Sequence, residues 1–176
     1  MAKATKSGKS STRLDTPTDL SGNATPEIAA ALNGCLADAF ALYLKTKNFH
    51  WHVSGPHFRE YHLLFDEQAT EILATTDELA ERVRKIGGRT IHSIGEIAKL
   101  QTLKDNNKEL VSAADMLQEL MADTKTTIKA MRAAHEVADK HEDVATASIL
   151  ENFIDAAEKR HWFLFEASRT GDGSGH

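Results

Sequence analysis

Between Asn48 and Glu67 the chain places four of its nine histidines, His50, His52, His57 and His62, around a Ser54-Gly55-Pro56 break. Imidazole nitrogen binds divalent transition metals. His62 stands four residues before Asp66, a spacing at which two side chains on one helix face can share an ion. Asp77 and Glu81 repeat that spacing with two carboxylates. Imidazole combined with carboxylate suits iron, because nitrogen accepts Fe(II) and anionic oxygen stabilises Fe(III). The two pairs cannot meet within one chain. Fifteen residues separate His62 from Asp77, about 22 Å of helix at about 1.5 Å per residue. Two arrangements remain open: two half-sites per chain, or sites completed by a second copy. A two-fold axis near Leu73 would run this helix antiparallel to its mate. His62 and Asp66 would then face Asp77 and Glu81 of the partner subunit, with His50 as a fifth ligand across the turn. The plain alternative for either pair is a polar surface or interface feature.

A site inside one bundle is the competing geometry. It calls for two Glu-x-x-His motifs plus a glutamate from each of two other helices. Only one such motif occurs, Glu158-Lys159-Arg160-His161, and its second copy is absent. The intrachain site is therefore disfavoured.

The elements that must position these residues are helical. Thr25-Pro26-Glu27 combines a hydroxyl N-cap, a proline at the first helical position and an acid in the first turn. Apolar residues then recur at helical spacing from Ile28 to Leu44, and helix one is expected to end near Val53. Pro56 permits a second helix, and nothing stops it before Gly87-Gly88. Ser93-Ile94-Gly95-Glu96 has capping-box spacing and predicts a short helix in the long connection. Helix three is expected from about Asn107 to Asp139, and helix four from Val144 to Ser168 with Asp143 as N-cap. These elements predict an all-α fold: a four-helix bundle with a short extra helix in the helix 2–3 crossover.

Composition agrees with one folded domain. The chain has 176 residues, 41% hydrophobic and 27% charged, enough for a single core. No N-terminal apolar leader occurs and no run approaches the roughly 18 apolar residues of a membrane span, so no membrane partner and a cytosolic location are expected. The single cysteine, Cys35, excludes an intrachain disulfide and a thiolate zinc cluster, and reads as a small core residue. Net charge is −5, unevenly distributed: residues 1–13 carry Lys3, Lys6, Lys9 and Arg13 and no acid, and the rest of the chain carries a net of −9. Residues 1–24 are expected to form a disordered basic tail, 25–169 the helical domain, and 170–176 a flexible end.

The run NFHWHVSGPHF, followed by His62, Asp66 and DELAERVRKIGG, resembles the Dps proteins, DNA-binding mini-ferritins of the ferritin-like superfamily. The similarity covers about residues 28–168, and HWFLFEA resembles the family's last helix. It implies a hollow homododecamer with iron-oxidising sites between two-fold-related subunits. His50, His62 and Asp66 match the ligands given by one subunit, and Asp77 and Glu81 those given by its mate. The substrates implied are Fe(II), held as a pair at each site, and hydrogen peroxide, with ferric mineral stored inside. Zinc and other divalent metals are candidates for the same ligands. Trp51 matches the tryptophan beside the family's site, where it would donate an electron or trap a radical; a simple aromatic anchor is the other reading. His52 stands where relatives carry another residue and has no ligand role, and His57 reads as a turn residue. For iron entry the resemblance points to acids near the start of helix four: Asp143 matches, Ala147 replaces a second acid, and Asp139 and Glu142 are candidates to compensate. Glu67 is a candidate for mineral nucleation.

The basic tail supports a separate expectation. Its four cations give weak, salt-sensitive phosphate contacts, multiplied if several arms engage together. Non-sequence-specific DNA binding and a nucleoid-associated, cytoplasmic location follow as expectations. The alternative is a non-enzymatic DNA-compacting protein whose metal residues are idle.

Overall fold

The computed structural model describes residues 14–169. Five helices follow one another: α1 (Ala24–His52), α2 (Phe58–Lys85), α3 (Ile94–Leu100), α4 (Ala113–Lys140) and α5 (Val144–Ser168). The four long helices form the bundle, and the described residues contain no strand. Helix α1 packs on α2 and α4, α5 packs on α4 and more lightly on α2, and α3 lies against α1. Helices α1 and α5 are thus diagonal neighbours.

The helix starts follow the capping chemistry of the chain. Ser93 Oγ accepts the Glu96 amide, and Glu96 reaches back to the His92 amide at 2.6 Å. Ser112 Oγ accepts the Asp115 amide, and Asp143 accepts the Thr146 amide at 3.1 Å. Two expected boundaries are corrected. Thr25 lies inside α1, where its hydroxyl donates to Ile86 O and ties the start of α1 to the end of α2. Asn23 holds the cap position without a side-chain bond. Helix α4 begins six residues later than Asn107, because Asn106 spends its amide on one local and one longer-range bond: its Oδ1 accepts the Lys108 amide and its Nδ2 donates to Glu119, 13 residues on. Such bonds offer the backbone an alternative to helix, and Leu110, expected on the helix, stands 89% exposed.

Two apolar clusters fill the bundle. One gathers Ile28, Leu32, Leu79, Val83, Leu150 and Ala157; the other gathers Phe49, Phe65, Ile72, Met116, Leu120 and Leu164. Each large buried side chain contributes about 1.5–3 kcal/mol. Between the clusters lies a polar waist that includes Asp38, Gln68, Thr127 and Arg160, all buried. Helix α1 is long and apolar enough to pass for a membrane span by length and composition, contrary to the sequence expectation, but half of that window is buried in the bundle.

The expected tail, residues 1–24, divides. Residues 1–13 lie outside the described residues, and with them Lys3, Lys6, Lys9 and Arg13; so do residues 170–176. Residues 14–23 are tied down. The Arg84 guanidinium donates to Leu14 O and Gly88 O, Leu20 packs on the first cluster, and Thr16 lies over Gly87. Gly87 has φ +81, and a Cβ there would stand 2.7 Å from Thr16 O. Gly87→Ala therefore meets both a left-handed backbone and a backbone clash, and is expected to cost about 1–3 kcal/mol. Thermal denaturation should show a midpoint lowered by at least about 2 °C; an unchanged midpoint would mean that residues 14–16 do not pack there.

Candidate metal centre

The break at Ser54-Gly55-Pro56 reverses the chain between the last turn of α1 and the first turns of α2. It sets His50 and His62 face to face, with ring centroids 3.8 Å apart. Their contacts are reciprocal: His50 Nδ1 lies 2.7 Å from His62 O, and His62 Nδ1 lies 2.8 Å from His50 O. A carbonyl only accepts, so each Nδ1 carries a proton, and in the neutral ring Nε2 is the nitrogen left with a lone pair. This is how metal-binding histidines are oriented, with one nitrogen held by the backbone and the other free. His50 Nε2 lies 3.8 Å from Asp66 Oδ1. Two donors each about 2.1 Å from a shared ion lie about 3–4 Å apart, so the gap has the size an ion would span.

Sequence reasoning missed Lys47. Its ammonium sits 2.5 Å from Asp66 Oδ1 and already places a cation on this carboxylate. Lys47 holds the Asp66 carboxyl below the usual range, with smaller help from His50 and His62. The available signal was position: Lys47 stands three residues before His50 on the same helix, hence on nearly the same face.

Asp77 and Glu81 are exposed, farther along α2. Glu81 pairs with Lys85 at 3.0 Å. Asp77 borders a groove lined by Leu36, Phe40, Ala80, Ile91 and Ile94. The structure brings His50, His62 and Asp66 together and leaves Asp77 and Glu81 apart from them. Among the described residues, no three potential ligands form a preformed metal cluster. The intrachain alternative also fails on position: Glu158 is exposed and paired with Arg132, and the buried residue of that motif is Arg160, a cation.

The other sequence candidates fall as follows. Trp51, 58% exposed, follows His50 on the surface. His52 Nδ1 is engaged by Asn48 O at 2.8 Å, and His57 holds the N-cap position of α2 beside Tyr61. Asp143 is only 4% exposed, caps α5, and is held by Arg82 and by the Thr146 hydroxyl. Asp139 and Glu142 are exposed, Asp139 lying 3.2 Å from His135. Ala147 is buried, and Glu67 is exposed. Burial pushes the Cys35 thiol up to about 12, which leaves it unreactive.

Comparison with known proteins agrees with this geometry. A family model described as a ferritin-like domain matches residues 29–170. The chain is 36% identical over 137 residues to the DNA protection during starvation protein of Brevibacillus brevis, covering 78% of this chain and 91% of that one. The chain belongs to the Dps family of ferritin-like proteins. Among solved Dps structures, that from Thermosynechococcus elongatus superposes with a TM-score of 0.82 at 32% identity, covering 86% of this chain and 96% of the other. The Dps protein of Vibrio cholerae O1, described as a member of a broad superfamily of ferritin-like diiron-carboxylate proteins, gives a TM-score of 0.83 at 27% identity, covering 90% and 100%.

Within this Dps chain, Lys47 occupies Asp66 and would compete with an entering ion for it. Lys47→Met is expected to tighten Co(II) binding by about 2–5-fold, the worth of a partly exposed ion pair, measured by calorimetric titration. Equal or weaker binding would contradict that competition.

Proposed function

We propose that this protein oxidises Fe(II) at sites shared by two subunits and stores the ferric product. The observation that carries this reading is the pair of half-sites spaced along α2. One gathers His62 and Asp66 of α2 with His50 from the end of α1, and the other holds Asp77 and Glu81 about 22 Å farther along α2. An antiparallel α2 pair lets each half complete the other twice, as a two-fold dimer requires. Charge favours the match, since Lys47 lies in the first half and Asp77, Glu78 and Glu81 in the second. The hollow dodecamer that the family resemblance implies is the assembly we adopt for it.

Iron is the substrate. The imidazoles suit Fe(II), and the carboxylates increasingly favour the ion as it becomes Fe(III). Because Nδ1 of both histidines is committed to a carbonyl, the ligands are oriented before iron arrives, and little reorganisation accompanies its entry. Lys47 must leave Asp66 when an ion binds, so the carboxylate exchanges one cation for another and avoids standing unpaired. Hydrogen peroxide is the oxidant we favour. Each of two Fe(II) ions gives up one electron, the O–O bond breaks, and two protons complete two waters. Taking both electrons from one site avoids releasing hydroxyl radical, and this would protect nearby DNA. Trp51, next to His50 in the sequence and exposed, would donate an electron or trap a radical. Asp139 and Glu142 would attract entering cations, and Glu67 would seed mineral. The basic residues Lys3, Lys6, Lys9 and Arg13 would bind DNA without sequence preference, at the nucleoid.

A DNA-compacting protein with idle metal residues is the other reading. Asp77→Ala with Glu81→Ala separates the two. Rapid mixing with Fe(II) and peroxide should show protein-dependent oxidation slowed at least about 10-fold relative to the unaltered protein, with particle mass unchanged. An unaltered rate would favour the compaction reading.

A further inference from the structure

At the polar waist, a cavity of about 30 Å³ is lined by residues of all four long helices, among them Asp38, Thr75, Thr127 and Arg160. Bundles commonly build cofactor and metal sites at such a place. Here Arg160 puts a fixed cation on the wall. Its side chain is 7% exposed. Nη1 reaches Glu71 only at 3.4 Å, and Nε is sealed from solvent without any partner. A buried donor left unmade costs the full desolvation of its group.

Most of the remaining wall is apolar, with Leu42, Ile72, Leu79, Met131 and Phe153, and its few polar groups identify what would satisfy Nε. Thr75 Oγ1 gives its proton to Ile72 O, and Thr127 Oγ1 gives its proton to Thr124 O, both at 2.8 Å. Whatever either oxygen offers the cavity, it can offer only as an acceptor. Asp38 is also an acceptor: Oδ1 takes the amides of Thr102 and Leu103, and Oδ2 takes the Thr102 hydroxyl, which leaves Oδ2 with spare capacity. The polar side chains lining the cavity thus include one orphan donor and several acceptors. A cation is repelled by Arg160. An anion would find one donor beside a carboxylate. A neutral molecule able both to accept and to donate fits, and the volume corresponds to about two waters at about 10–15 Å³ each.

We propose that this cavity is a built internal-water site. One water accepts from Arg160 Nε, and the pair donates to Asp38 Oδ2 and to the threonine oxygens. The arrangement is a solvent-mediated ion pair linking the diagonal helices α1 and α5, which touch little directly. It also fills the bundle centre with a cation and its solvent, leaving no room there for iron.

A crystal structure of the full chain, grown with sodium bromide, tests this directly. The expected result is one or two peaks in the cavity without anomalous signal, one of them about 2.7–3.2 Å from Arg160 Nε. An empty cavity, or an anomalous bromide peak there, would overturn the proposal. In solution, Thr127→Val removes an acceptor at nearly constant volume. It should lower the melting midpoint by about 2–4 °C in the unaltered chain and by clearly less in an Arg160→Met background. Equal losses in both backgrounds would count against the bridge, and the crystal test stands whether or not Arg160→Met folds.

Discussion

The rigidity of α2 is the constraint on which the rest depends. A helix cannot fold back within 28 residues that contain neither glycine nor proline. Ligands placed near its start and its middle must therefore look outward to different neighbours. Everything else in the bundle serves to keep that helix straight and to expose the correct stripe. Phe65, Ile72, Leu79 and Val83 are buried against the other helices, which turns Asp77 and Glu81 to the surface and leaves His62 and Asp66 only partly covered. Burial on one side fixes the direction of chemistry on the other.

The two halves are prepared differently. The histidine half is held by backbone carbonyls and carries its own ammonium, which keeps a carboxylate charged yet neutralised while no metal is bound. The acidic half is looser: Glu81 is engaged by Lys85 across one helical turn, an exposed pair of small energy. An arrangement of this kind lets each subunit fold without metal. A completed four- or five-ligand cage of anions within one chain would instead impose charge repulsion on the fold.

Much of this was legible in the sequence because it depends on local periodicity. The four long helices, the capping box at Ser93 and the Asp143 cap follow from apolar spacing and short-range bonds. The candidate pairs stand at i,i+4 in the sequence, and their separation along α2 keeps them apart within one chain. What escaped depends on contacts between distant residues. The start of α4 was misplaced because Asn106 bonds to Glu119 and Lys108 in place of entering a helix. The packing of residues 14–23 depends on Arg84 and Gly87, and Lys47 meets Asp66 only once α1 and α2 are side by side. Asp143, a candidate pore acid, is held by Arg82 from 61 residues away, a contact that local spacing does not carry.

Subunit complementation tests the shared-site account most directly. One variant carries His62→Ala and Asp66→Ala, the other Asp77→Ala and Glu81→Ala; each alone lacks one half of every site. Unfolded together and reassembled in equal amounts, they should form mixed dimers in which one site of two is intact, giving about a quarter of the unaltered peroxide-driven Fe(II) oxidation. Mixed particles as inactive as either variant alone, with mixing verified by mass, would contradict a site built from two subunits.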